Sequence, residues 1–183
     1  MTLNSETLRL GDELDRLDEQ ADEYAQLLRD ADNDDGEEGE SASAAALQQS
    51  ANEIDQQGRG VAYLAAEYGE DAEVVVAGLD AGEFARVEDR VAAIRAGRTD
   101  QSPTPGAHRN VYAAVGLQDA PFLDLEDEAD LSQRERVDAK LDAVSALPVG
   151  ATKWLYDRVD NLSTVSEGNW RRFGERLQET STD

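Results

Sequence analysis

The sequence predicts an all-α protein, an N-terminal antiparallel helical hairpin with an acidic loop followed by a small C-terminal helical unit. Three observations lead there. Two stretches carry apolar residues at alternating intervals of four and three, the spacing that lines one face of a helix. A polar, Gly-containing connection separates those stretches, which folds such helices back on each other. In the remainder, helix caps and stop signals frame segments whose apolar period is helical.

The first seam runs Leu10, Leu14, Leu17, Ala21, Tyr24, Leu28 and stops at Asp30. The second runs Leu47, Ala51, Ile54, Gly58, Val61, Ala65, Tyr68. Gly58 and Gly60 weaken that helix by about 1 kcal/mol each, so a kink or break is expected at QQGRG. Glu73 to Ala77 is apolar enough for a short strand but too brief to assign. Asp80 with Glu83 forms a capping box before Phe84, Val87, Val91 and Ile94, and Gly97 ends that helix. The segment GRTDQSPTPGAHRN reads as a linker, which divides the chain into residues 1–97, a linker at 98–110, and residues 111–183. Beyond it, NVYAAVGLQDAPFLDL is expected to be one helix ended by Ala120-Pro121. Ser132 and Glu135 cap a helix bearing Val137, Leu141 and Val144. Pro148 opens another with Trp154, Leu155, Val159 and Leu162, and Ser166 precedes a last one with Trp170, Phe173 and Leu177.

Charge bounds the function. There are 41 acidic and 17 basic residues, a formal charge of −24, and only Lys140 and Lys153 among the bases are lysines. Nucleic acid and anionic membranes are therefore not expected as partners. Few lysines, many carboxylates and many small residues resemble the proteins of extreme halophiles, in which concentrated salt screens the repulsion that dilute buffer leaves intact. Salt-dependent folding follows as an expectation. Cysteine is absent, the N-terminus lacks a basic and apolar leader, and no long apolar run exists, so a cytoplasmic location is expected.

No pattern carries catalysis. As an EF-hand, the acidic loop starting at Asp30 puts Asp35 at the sixth position and Ser41 at the twelfth, where Gly and Glu are required. Shifting by one to seat Gly36 puts Ala31 first and Ala42 last. No metal site, catalytic residue or cofactor is expected. His108, the only histidine, lies beside the linker and reads as a surface residue. What remains is apolar helix surface. A two-helix unit cannot bury its own seam, so a protein partner or a homo-oligomer is expected, with Tyr24, Tyr68, Phe84, Trp154, Trp170 and Phe173 as contact residues. Arg171 and Arg172 beside Trp170 add the most basic patch, suited to an acidic partner.

The stretch VAYLAAEYGEDAEVVVAGLDAGEFARVEDRVAAIRAG, with Leu79, Glu83, Val87, Asp89 and Val91 on its helix, and the later LPVGATKWLYDRVDNLSTV resemble the small helical tail assembly chaperones of tailed viruses. The acidic composition would make the host haloarchaeal. The resemblance implies a chaperone that coats a hydrophobic client such as a tape measure protein, and it transfers no functional residue. The alternative expectation is a scaffold or minor virion component that oligomerises through the heptad hairpin.

Overall fold

The computed structural model describes residues 4–33, 40–97, 105–124 and 131–163. Helices dominate it, as the periodicity requires: α1 (Leu10–Asn33), α2 (Glu40–Tyr68), α3 (Ala81–Ala96), α4 (Pro105–Gly116), α5 (Gln133–Ala146) and α6 (Val149–Ser163). α1 and α2 pack side by side as the expected hairpin. Both predicted capping boxes are present. The Asp80 carboxylate accepts from the Glu83 backbone at 2.8 Å and Glu83 returns the bond at 3.0 Å, while Ser132 and Glu135 do the same ahead of α5.

Three short strands are added to the helices. β1 (Ser5–Arg9) and β3 (Leu117–Asp119) flank β2 (Glu73–Ala77) in an antiparallel sheet, with Leu8 opposite Val74 and Leu117 opposite Val76. The undecided Glu73–Ala77 segment is thus the central strand. Its alternate residues Val74 and Val76 are fully buried, with Leu8 beside them. Two expectations are corrected here. The stretch from Asn110 to Ala120 is not one helix, because α4 stops at Gly116 and the chain extends to pair with β2. The segment expected to be a linker is helical from Pro105 onward.

The sheet also anchors the hairpin. α1 continues directly from β1, and its first backbone N–H groups donate to strand-side carbonyls, Leu10 to Ala72 at 3.0 Å and Gly11 to Glu70 at 2.9 Å. Those donors have no partner inside the helix, so the α2–β2 turn serves as their cap. Gly69 makes that turn possible with φ of +98°, a conformation that a side chain would strain.

α6 lies at the centre of the molecule, packed on α2, α4 and β2. Its crossing with α2 explains the glycines read as a kink. α2 runs unbroken through Gly58 and Gly60, and a Cβ on Gly60 would fall on the Ala151 nitrogen, while one on Gly150 would fall on the Gln56 carbonyl oxygen. The pair lets the two backbones touch. Trp154, Leu155 and Val159 of α6 then meet Leu10, Leu17, Val61 and Leu64 of the hairpin and Val111 and Leu117 beyond the expected linker in one hydrophobic cluster. Lys140 of α5 donates to the Leu117 carbonyl at 2.7 Å and ties α5 to β3.

Candidate interaction surfaces

The hairpin outruns the core. Leu10, Glu13 and Leu17 are buried at its base, together with Gln57, Val61, Leu64 and Ala65 across from them. Past Leu17 in α1 and before Gln57 in α2 no described side chain is buried. Ala21, Tyr24, Leu28, Leu47 and Ala51 hold the heptad spacing there and are half-buried. Leu14 and Ile54 still pack on the core cluster, whereas Tyr24, Leu28 and Leu47 do not. From Leu17 to Asn33 this arm is about 24 Å long at 1.5 Å per residue. Its outer faces carry Asp18, Glu19, Asp22, Glu23 and Asp30.

An aromatic patch forms where α3, α4 and α6 meet. Tyr112 is the hub, with ring centroids 5.0 Å from Tyr156, 5.8 Å from His108 and 6.3 Å from Phe84. These are separations at which aromatic pairs attract. Tyr112 is buried and its hydroxyl donates to Asp160 at 3.2 Å; burial, with the Asp160 charge adding to it, pushes the phenol above its ordinary pKa. Phe84 remains 45% exposed. His108 reaches Glu88 of α3 at 3.4 Å. The lone histidine therefore sits within an aromatic cluster, which spacing in the chain did not foretell. Tyr68, 41% exposed at the end of α2, leans on Phe122 at 6.3 Å on another part of the surface.

Trp154 is not on the surface of the chain. It is wholly buried, and its indole N–H donates to Glu13 at 2.7 Å. Its place on an amphipathic helix marks it as a contact residue; the tertiary packing gives that face to the core. Glu13 also accepts from Arg158 Nε at 2.9 Å and Nη2, and from Arg16 Nη2 at 3.1 Å. Burial pushes the Glu13 carboxyl up, but the hydrogen bonds from Arg158, Arg16 and Trp154 outweigh it and hold the group below the usual glutamate value. In the sequence Glu13 is one acid among many, and its position between Leu10 and Leu17 on the apolar face is the signal that sets it apart. Nearby, Asp157 accepts from Gln57, and burial raises its carboxyl above the ordinary aspartate value.

Trp170, Arg171, Arg172 and Phe173 lie outside the described residues. Of the expected contact residues within them, Tyr24 is on the arm, Phe84 in the aromatic patch and Tyr68 at the hairpin base; the fold does not bring these three together. Among the described residues no group of three or more His, Cys, Asp or Glu side chains is arranged to hold a metal ion, and no helix is long and apolar enough to cross a membrane. No protein-family model, curated protein or solved structure matches the chain.

Proposed function

We propose that the protein acts by binding, with the seam of the hairpin arm as the surface that receives an apolar helix of another protein. One observation carries this reading: the heptad pattern of Tyr24, Leu28 and Leu47 continues past the point where the core ends, leaving those side chains half-covered. Fully burying such a side chain is worth about 1.5–3 kcal/mol, so covering the remaining surface of several would favour a complex appreciably. Two helices become a stable bundle when one or two more lie over their seam. The reading is that of an assembly chaperone of the kind tailed viruses encode, in which the arm shields a hydrophobic client such as a tape measure protein and the carboxylates on its outer faces keep the complex hydrated.

A second reading has the same surface as its basis. Because α1 and α2 both keep the heptad spacing, two copies could pair their arms into a four-helix bundle, as a scaffold or minor virion component would. The acidic outer faces would resist that pairing in dilute buffer and permit it in salt.

The double substitution Leu28→Glu with Leu47→Glu tests both readings, since neither residue packs on the core and the fold should survive. Co-expression with a tape measure protein should leave the client soluble with the parent chain and insoluble with the variant. Light scattering coupled to size exclusion at low and high salt reads self-association in parallel: a parent dimer and a variant monomer favour the scaffold. If parent and variant behave alike in both measurements, the arm is not a binding surface.

A further inference from the structure

A groove of about 590 Å³ runs between α3 and α5, and its charge runs against that of the molecule. Arg86 and Arg90, one turn apart on α3, and Arg134 in the first turn of α5 line it, with Ala93 and Val137 among its apolar walls. Two carboxylates also face it, Asp89 and Asp138. Asp138 is engaged by Arg90 at 2.7 Å. Arg86 and Arg134 are exposed and form no ion pair with any described residue, and Arg90 Nε is buried with no hydrogen-bond partner. Arg95 and Arg109 likewise form no ion pair with a described residue, so what sets the groove apart is that it gathers two such arginines beside Arg90.

We infer that this groove docks a carboxylate-rich segment of a partner protein, with an apolar side chain of that segment seated against Ala93 and Val137. Guanidinium forks match carboxylates in a bidentate geometry, and such charge-assisted pairs are stronger than neutral hydrogen bonds. The volume lies in the range of sites that enclose a small ligand or a few side chains. A nucleic acid suits it poorly. Three guanidinium groups neutralise few phosphates, while a chain of charge −24 repels a dense polyanion over a long range. Two or three carboxylates on a short segment meet the arginines about one for one. The groove is remote in sequence from the hairpin arm and stands or falls separately from it.

Fluorescence anisotropy with a short labelled peptide alternating glutamate and leucine tests the inference on the full chain. The peptide should bind, and its counterpart with glutamine for every glutamate should bind at least about tenfold more weakly, a comparison that needs no variant to fold. Arg86→Glu with Arg134→Glu should abolish binding at unchanged helicity. Arg59→Glu with Arg95→Glu, an equal charge change at exposed positions that do not line the groove, should leave binding in place. Loss with this pair as large as with the groove variant would reduce the effect to net charge and overturn the inference. Tighter binding of single-stranded DNA or inorganic phosphate would overturn it in favour of a phosphate site. So would peptide binding that arises only after Glu126, Asp127, Glu128 and Asp130 are neutralised, because the chain's own neighbouring carboxylates would then be the occupant.

Discussion

Glu13 shows how one carboxylate can belong to the core of an acidic protein. It is buried with three donors around it, and its removal would leave the Arg158 guanidinium and the Trp154 indole N–H without their acceptor. Breaking such a buried pair from one side is expected to cost about 3 kcal/mol. Glu13→Ala should therefore lower the denaturant midpoint well beyond any surface Glu→Ala exchange, for example at Glu88. Its pH dependence has a definite sign. A folded-state pKa below the ordinary value of 4.5 means that the stabilisation is complete above that value and is lost as pH falls through the lowered one. Asp157 has the opposite sign. Its pKa is raised by burial, so its ionised form weighs against the fold at neutral pH, and the two groups partly offset each other in an acid titration. Unfolding measured between pH 3 and 7 should show the acid loss in the parent chain and a smaller one in Glu13→Gln.

At the scale of elements, two glycines of α2 separate helix propensity from packing. Gly58 has nothing within 4 Å of where a Cβ would stand, so Gly58→Ala should stabilise the protein by about 0.5–1 kcal/mol through propensity alone. Gly60 faces the α6 backbone at Ala151, and the same exchange there should destabilise by about 1–3 kcal/mol, because the overpacking outweighs the gain in propensity. Chemical denaturation of the two variants decides it, and equal effects would mean that α2 and α6 do not cross so closely. The arm follows from the same logic. α1 and α2 are longer than the partners that cover their bases, and the uncovered turns keep an apolar seam for which the core has no use.

For the whole molecule, charge sets the conditions under which the fold persists. Leu, Ile, Val and Phe make up about a fifth of the chain against a net charge of −24, a balance close to that at which chains fail to collapse. At about 1 M salt the Debye length falls to about 3 Å and most of the repulsion disappears. Helicity followed by circular dichroism should accordingly rise between about 0.1 and 3 M KCl. Full helicity at the low end would mean that the core alone offsets the repulsion.

The sequence by itself determined α3, α5 and α6, the hairpin of α1 and α2, both capping boxes and the stop at Gly97, because these rest on local period and on hydrogen bonds spanning a few residues. It also named Tyr24, Phe84 and Tyr68 as contact residues, of which Phe84 and Tyr68 are exposed and Tyr24 is half-buried. Only the tertiary structure decided the rest. β1 and β3 are too short and too polar to announce themselves and exist through pairing with β2. Gly60 reads locally as a helix breaker and is instead a crossing point, Trp154 reads as a contact residue and is buried, and Glu13 reads as one more solvated acid and joins α1 to α6. Each depends on a partner far along the chain, and residue type and spacing carry no record of which distant backbone, indole or guanidinium folding will bring alongside.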